Sequence, residues 1–194
     1  MKDILVVAFE SASAWETWLE KNHARSAGLW MKIAKRSKAA SSVSYAEALE
    51  VALCYGWIDG QKDKLDETWW LQKFTPRGAK SIWSRTNREK AIALEKDGRM
   101  KPAGLAAMES AKADGRWLAA YDSQKTAAVP SDLQNELDKE PQARAFFSTL
   151  NSRNRYAILF RIQNARRPET RNRRLRQFVE MLKKGKTIYP QAQG

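Results

Sequence analysis

Residues 44–60 read SYAEALEVALCYGWIDG, and this stretch predicts a helix, its end and the beginning of a strand. Ser44 and Glu47 have the spacing of a capping box, in which each side chain accepts a hydrogen bond from the other residue's backbone N–H. Apolar residues follow at helical spacing on two faces, which predicts a helix that is buried on most sides. Gly56 can take the left-handed conformation that ends a helix, so the chain turns there.

The segment after Gly56 has the pattern of a β-hairpin. Trp57–Gly60 and Thr68–Phe74 are rich in aromatic and β-branched residues, and they flank the charged stretch Gln61–Glu67. Two such runs on either side of a turn-like segment pair as antiparallel strands. We therefore expect the turn to occupy Gln61–Glu67.

A strand, a helix and a second strand are expected before this hairpin. Ile4–Phe9 is a short apolar run typical of a buried strand. Ser13 and Glu16 have capping-box spacing, which predicts a helix from Ala14 to Asn22. Gly28–Ala34 alternates around Trp30 and Lys32 as a strand does, and Lys35–Ser42 is a polar loop.

The rest of the chain is predicted to be helical. Proline and glycine punctuate the helical patterns at their beginnings and ends. The expected helices are Arg85–Lys96, Pro102–Ala113, Ser131–Asp138, Pro141–Leu150, Ser152–Ala165 and Glu169–Lys184. The fold class is α+β, with a small sheet and helices in the N-terminal part and a helical C-terminal half. We expect a Trp-rich domain over 1–120 and a basic helical subdomain packed on it over 121–194.

Composition indicates a folded and strongly basic protein. The 194 residues include 35 Lys or Arg and 22 Asp or Glu, for a formal charge of +13, and 43% are hydrophobic. Residues 153–186 hold twelve Lys or Arg and two acids, a net charge of +10, which leaves +3 for residues 1–152. All eight tryptophans precede residue 118, so the core-forming and the basic residues are concentrated in different parts of the chain.

The lone Cys54 and the lone His23 exclude several chemistries. One cysteine forms no disulfide within the chain and no Cys-rich zinc site, and one histidine removes most His-based metal sites and catalytic triads. We therefore expect no metal and no cofactor, and we favour a non-enzymatic protein. The apolar run Ile4–Phe9 is too short for a signal peptide or a membrane span, so we expect a cytoplasmic protein without a membrane span.

Two further segments carry a family resemblance. Residues 53–60 read LCYGWIDG, and residues 75–84 read TPRGAKSIWS. With these segments the chain resembles the YdeI/OmpD-associated, or bacteriocin-protection, family, and the resemblance continues through 98–104, 114–117 and 169–174. It implies protection against bacteriocins or cationic antimicrobial peptides, and a link to outer-membrane protein assembly or stress. It implies no catalytic residue set.

The two segments also contain side chains suited to a ligand. Trp57 and Trp83 offer flat apolar walls, Asp59 offers an acceptor, and Arg77 offers donors that suit a carboxylate or a phosphate. With Ser81 they form the candidate site for a small anionic ligand. The alternative is that both tryptophans are core residues, Asp59–Gly60 is a turn and the segment from Thr75 is an irregular loop.

Arg171 joins the candidate site because of its place on the last helix. It shares the helical stripe of Leu175, Phe178, Val179 and Leu182, so it is expected to point inward. An arginine on an apolar stripe needs a carboxylate, a backbone acceptor or a ligand anion. Both an internal ion pair and a ligand contact remain open.

The opposite side of the C-terminal helices is basic. An exposed basic face attracts nucleic acid or acidic proteins without sequence preference, or is simply solvated. Its expected residues are Arg153, Arg155, Arg173, Arg176, Lys183 and Lys184.

Three functions follow, in order of preference. The first is a non-enzymatic binding or stress-protection protein of the bacteriocin-protection kind that binds a small anionic ligand. The second is a nucleic-acid-associated protein that uses the basic helices. The third is an enzyme that acts on an anionic metabolite through carboxylate or lysine chemistry.

Overall fold

The computed structural model describes residues 5–35 and 41–191. The chain divides into two compact units. The first contains the described residues up to Trp83 together with Asn87–Leu118, and the second contains Ser84–Thr86 and the described residues from Ala119 onward. The division predicted from the sequence, a domain over 1–120 and a helical subdomain packed on it over 121–194, stays a prediction.

A four-stranded sheet is the centre of the first unit. Its strands are β1 (Leu5–Ala8), β2 (Leu29–Ala34), β3 (Trp57–Lys64) and β4 (Trp69–Pro76), in the spatial order β1-β2-β4-β3. The β1–β2 pair is parallel, and the other two pairs are antiparallel. Because β1 and β2 are parallel, the chain must cross over between them, and a helix makes this connection.

Four helices are associated with this sheet in sequence. They are α1 (Ala12–Asn22), α2 (Tyr45–Cys54), α3 (Arg85–Lys96) and α4 (Pro102–Ala113). The capping box at Ser44 and Glu47 is present at the beginning of α2, and Gly56 has the left-handed φ of 71° two residues after its end. Both features were predicted, and they fix where α2 begins and ends.

The two faces of the sheet differ in burial. On β2, Leu29, Met31 and Ile33 are buried and define the inner face, whereas Trp30, Lys32 and Ala34 are half-buried and define the outer face. The inner face contacts an aromatic cluster around Trp15, whose ring lies 5.7 Å from that of Phe74 and 6.0 Å from that of Trp57. Burial of each large apolar side chain contributes about 1.5–3 kcal/mol, so this cluster holds α1 on the sheet.

The close contact between α2 and α4 depends on two glycines, which have no side chain. A Cβ atom at Gly104 would collide with the carbonyl oxygen of Cys54, and one at Gly56 would lie 2.7 Å from the carbonyl oxygen of Ala103. The backbone N–H of Lys101 donates to the Cys54 carbonyl at 3.0 Å. The beginning of α4 is therefore fixed against the end of α2.

The second unit is helical. Its helices are α5 (Ser131–Lys139), α6 (Pro141–Ser148), α7 (Ser152–Gln163) and α8 (Pro168–Lys183). Their apolar faces form one core that includes Leu133, Phe147, Ile158, Leu175 and Phe178. The buried side chain of Asn154 donates to the Tyr189 carbonyl at 3.0 Å and accepts from the Tyr189 N–H at 2.8 Å. These bonds hold the segment after α8 on α7.

The α+β class is confirmed, with strands in the N-terminal part and helices in both halves. Several predicted boundaries are wrong. Ser11, and not Ser13, caps α1, because its side chain accepts from the Ala14 N–H. The charged residues up to Lys64 belong to β3, so the hairpin turn is shorter than Gln61–Glu67. The helices α6 and α7 each end two residues before the predicted position, and α8 covers Pro168–Lys183. The loop predicted at Lys35–Ser42 lies partly outside the described residues.

Candidate functional site

A cleft of about 690 Å³ opens in the first unit. Its walls come from the loop after α1 (His23–Ala27), the end of α2 with the beginning of β3 (Tyr55–Trp57), and the loop after β4 (Pro76–Ala79). Ala103, Ala107 and Ser110 line it from one face of α4. Because these side chains are small, α4 leaves the space between the loops open.

Local hydrogen bonds hold the loop after β4. The backbone N–H of Arg77 donates to the Gly56 carbonyl at 2.9 Å, which ties this loop to the end of α2. The N–H of Gly78 donates to the Ser81 hydroxyl oxygen at 3.0 Å, and the N–H of Ser81 donates to the Gly78 carbonyl at 2.9 Å. Ser81 therefore shapes the loop that carries Arg77.

The guanidinium of Arg77 lies on an indole. Its central carbon is 3.6 Å from the centre of the Trp83 ring, and its Nη1 donates to the Ile82 carbonyl at 3.4 Å. Trp83 is 1% exposed, and its ring meets the edge of the Trp117 ring at 4.8 Å. A guanidinium that stacks through its face makes hydrogen bonds through its edge, so the stacking orients the donors of Arg77.

Arg116 is a buried cation at the cleft and is only 5% exposed. Its Nε donates to both oxygens of Asp114, at 2.7 and 2.9 Å. Its Nη1 donates to the Ser81 carbonyl at 2.9 Å, and its Nη2 donates to the Ser110 hydroxyl at 3.0 Å. These bonds fix the side chain and connect the loop after β4 to α4.

The cleft is electropositive. Arg25, Arg77 and Arg116 line it, and none of the described lining residues is Asp or Glu. Asp114 pairs with Arg116 from outside the lining set, and Arg25 and Arg77 add two further cationic side chains to the wall. Because a concave wall of one sign concentrates field lines, the cleft attracts anions.

His23 lies at the C-terminal end of α1, where the sequence places it. Its Nδ1 contacts the Leu19 carbonyl at 2.9 Å, and a carbonyl only accepts, so Nδ1 carries the proton. The His23 carbonyl in turn accepts from the Trp57 indole N–H at 3.2 Å. The residue therefore joins α1 to β3 at the edge of the cleft.

The structure brings together four of the residues that the sequence selected. Trp57 and Arg77 line the cleft, Ser81 holds the loop, and Trp83 lies beneath Arg77. Both tryptophans are 1% exposed and belong to the core, as the alternative reading expected.

The other two selected residues have partners elsewhere. Asp59 lies in β3 and accepts from the Tyr45 hydroxyl at 2.7 Å, and it is not among the described lining residues. Arg171 belongs to the second unit, where its Nε donates to Asp132 at 2.6 Å. That contact is the internal ion pair which the sequence left open.

Arg25 and Arg116 are the arginines of the lining that sequence reasoning missed. Arg116 lies in the segment 114–117, which carried part of the family resemblance, so a signal for it existed. Its contact with Ser81 joins residues 35 positions apart, which no local pattern reveals. Arg25 follows a helix end in a short loop, and nothing in the sequence distinguishes it from other surface arginines.

The predicted basic face of the second unit is partly engaged. Arg153 lies over the Tyr189 ring at 4.2 Å, and Arg155 lies over the Phe147 ring at 4.6 Å. Lys183 pairs with Glu140 at 3.2 Å and with Glu180 at 3.3 Å. Arg173, Arg176 and Lys184 are exposed.

Cys54 is buried, and burial raises the pKa of its thiol. The described residues contain no group of three or more His, Cys, Asp or Glu side chains placed to hold a metal ion. Among residues 5–35 and 41–191, no helix has the length and apolar composition needed to cross a bilayer. The cytoplasmic location stays a prediction.

These features define an α+β protein with an electropositive cleft in its N-terminal unit. The chain belongs to the family described as Domain of unknown function (DUF8412), whose model matches residues 7–107, just over half of the chain. Residues 126–185 match the model described as Bacteriocin-protection, YdeI or OmpD-Associated, which confirms the family resemblance. Segments 53–60 and 75–84 fall within the first match, and segment 169–174 falls within the second. No curated protein and no solved structure matches the chain significantly.

Proposed function

We propose that the protein is a non-enzymatic binding protein that holds a small anion, a carboxylate or a phosphate, in the cleft of its first unit. One observation carries the proposal: Arg25, Arg77 and Arg116 line the cleft, and none of its described lining residues is acidic. Trp57, Ser81 and Trp83 complete the proposed site, as wall, loop support and stacking partner.

Preorganisation supports this proposal. Two of the three guanidinium groups are already positioned, Arg77 by stacking on Trp83 and Arg116 by hydrogen bonds to Asp114, Ser81 and Ser110. A receptor whose donors are held in place loses little conformational entropy when it binds. Arg25 is exposed and would supply long-range attraction more than a fixed contact.

The link to protection rests on the second family match. The description of that family names bacteriocin protection, and its model covers residues 126–185 of this chain. We infer that anion binding in the first unit contributes to a protective or stress-related role of this kind.

Titration calorimetry with inorganic phosphate, and with succinate as a dicarboxylate, tests the binding. Arg77→Gln is expected to weaken binding by roughly tenfold or more, because a hydrogen bond to a charged group contributes about 1.5–3 kcal/mol. Arg25→Gln is expected to weaken it less. Lys21→Gln is the matched control, since it removes one exposed charge from the last turn of α1, outside the lining set.

The proposal fails if wild-type protein binds neither anion, or if Lys21→Gln weakens binding as much as Arg77→Gln does. Thermal unfolding of each variant identifies a loss that comes from unfolding. Bacterial cells that express the wild type or Arg77→Gln, challenged with a bacteriocin, test the protective role separately.

One specific observation favours the second function, nucleic-acid binding by the basic helices. Arg166, Arg167, Arg173, Arg176 and Lys184 are exposed, and no ion pair within the described residues engages them. Exposed cations of this density bind polyanions with strong salt dependence. A gel shift with duplex DNA, compared with an Arg173→Gln/Arg176→Gln variant, tests this function.

A further inference from the structure

The outer face of the four-stranded sheet carries two tryptophans and two lysines in a regular array. Opposite residues of antiparallel strands point to the same face, and the register of β2 with β4 pairs Trp30 with Lys73, Lys32 with Leu71, and Ala34 with Trp69. Successive pairs along the strands therefore present an aromatic and a cation, then a cation and an aliphatic residue, then a second aromatic. The Lys73 ammonium lies 5.7 Å from the centre of the Trp30 ring.

This face is accessible to a ligand. All six side chains of the three pairs are half-buried, whereas the neighbouring inner-face residues Leu29 and Met31 are 0% exposed. On the edge strand β1, Val6 pairs with Trp30 and is 46% exposed, so the apolar surface continues to the edge of the sheet. A partly apolar surface of this kind is a feature of interaction sites.

The charge of the face favours a polyanion. Among the described residues, no carboxylate lies within ion-pair distance of the Lys32 or the Lys73 ammonium. Asp63 is the acid that the register places on this face, opposite Leu71, and its carboxylate accepts from the Lys64 N–H at 2.8 Å. Lys62 and Lys64 flank Asp63 but pair with Gln72 and Trp70, so the register places them on the opposite face. On the outer face, the paired residues therefore carry two lysines, Lys32 and Lys73, and one acid, Asp63.

The register also fixes the distance between the indoles of Trp30 and Trp69. Trp69 is opposite Ala34, which is four residues from Trp30, so the two tryptophans are about 13 Å apart along the strands and one strand apart across the sheet. Lys32 lies between them. Such an array suits an extended strand whose bases stack on the indoles and whose phosphates contact the lysines.

We propose that the outer face of this sheet binds single-stranded nucleic acid. Aromatic side chains on an open sheet provide stacking surfaces for unpaired bases, and lysines beside them neutralise the phosphates. Duplex is excluded from this mode, because its bases are already stacked on one another. The proposal is independent of the cleft and of the basic helices of the second unit.

Fluorescence anisotropy of the full chain with labelled oligothymidylate of about 15 nucleotides tests the proposal. Trp30→Ala and Trp69→Ala are each expected to weaken binding by roughly tenfold, since stacking on one aromatic contributes about 1–3 kcal/mol per base. Trp30→Tyr and Trp69→Tyr are expected to retain most of the affinity. Lys32→Gln/Lys73→Gln is expected to reduce the salt dependence of log K by about 0.7 per lysine.

The matched control is Arg173→Gln/Arg176→Gln, which removes two exposed cations from α8 and is expected to leave oligothymidylate binding within about twofold. Thermal unfolding of every variant is measured. If an alanine variant unfolds, the affinities of the tyrosine and lysine variants test the proposal instead. The proposal is overturned by three results: no binding at about 50 mM salt, equal affinity of the α8 variant for duplex of the same length, or loss of oligothymidylate binding with the α8 variant alone. A stable dimer in light scattering that Trp30→Ala dissolves would assign the face to a second copy of the chain, and would also overturn it.

Discussion

The ion pair between Asp132 and Arg171 shows how one residue pair can join three helices. The guanidinium donates from Nε at 2.6 Å and from Nη2 at 3.0 Å to the two carboxylate oxygens, and Nη1 donates to the Ile162 carbonyl at 2.8 Å. This hydrogen-bonded pairing with Arg171 lowers the pKa of Asp132 below its ordinary value. The pair therefore joins α5, α7 and α8 through a charge that the apolar stripe of α8 could not bury alone.

Asp132→Asn is expected to lower the free energy of unfolding by about 1 kcal/mol at neutral pH, a modest value because both side chains are partly exposed to solvent. A carboxyl whose pKa is lowered by folding contributes stability above its unfolded pKa and loses it as the pH falls through the folded pKa. The difference between wild type and Asp132→Asn should therefore shrink as the pH falls below about 4, the ordinary range of Asp. Urea unfolding at several pH values measures it.

Asp138→Asn is the control for this prediction. Asp138 is 49% exposed and lies 3.5 Å from Arg144, so its replacement should change the free energy of unfolding by less than about 0.5 kcal/mol. A difference for Asp132→Asn that stays constant down to low pH would mean that the pair does not stabilise the folded state through its charge.

At the scale of elements, the packing of α4 on α2 depends on Gly104. In an exposed helix, Gly→Ala stabilises by up to about 1 kcal/mol. Here the added methyl group would meet the main chain of Cys54, which cannot move aside as a flexible side chain can. Gly104→Ala is therefore expected to destabilise the protein by about 1–3 kcal/mol, as overpacking does, and thermal unfolding measures the change.

Ala106→Leu is the matched control, because it adds bulk at an exposed position of the same helix. It should leave the melting temperature nearly unchanged. A stabilised Gly104→Ala variant would show that α2 and α4 can separate, and would contradict the close contact that shapes one wall of the cleft.

The elements that the sequence predicted best are those with clear punctuation. The bounds of α3 and α4 were predicted correctly, since Gly98, Pro102 and Gly115 mark helix ends by their backbone preferences. Ser13 was chosen wrongly as a cap because two serines lie near the start of the helix, and the hydrogen bond from the Ala14 N–H identifies Ser11 as the cap. The extension of β3 to Lys64 depends on pairing with β4, which overrides the low strand preference of charged residues.

The candidate site was less predictable than the fold. Trp57 and Arg77 were found because they lie in dense motifs near each other in sequence. Arg116 is held at the cleft by hydrogen bonds to Ser81 and Ser110, whereas Asp59 accepts a hydrogen bond from Tyr45 of α2. Both outcomes depend on tertiary contacts between distant residues, which spacing along the chain does not determine.

At the scale of the whole molecule, the long connection between α4 and α5 has a consequence for proteolysis. Lys125 belongs to the segment 122–130, outside the helices and strands, and its side chain is exposed. Among the described residues, Lys125 is expected to be an early tryptic site, giving fragments of about 14 and about 8 kDa, because exposed loops are cut before helices. Mass spectrometry after brief digestion identifies the site.

Lys125→Gln is the control, and it should remove this pair of fragments while leaving other cleavages unchanged. Initial cleavage at Lys139 or Lys183, which lie within helices of the second unit, would contradict the prediction. Persistence of either fragment with native-like circular dichroism would show that this part of the chain folds by itself.

The face of α4 that lines the cleft has a consequence for the size of the cleft. Ala103, Ala107 and Ser110 face it with side chains of one or two heavy atoms, on a helix anchored elsewhere through Gly104. A larger residue at Ala103 or Ala107 would reduce the volume of the cleft, whereas exchange of Ser110 would also remove the hydroxyl that accepts from Arg116. On the proposed binding function, these positions of α4 would set the largest ligand that the cleft admits.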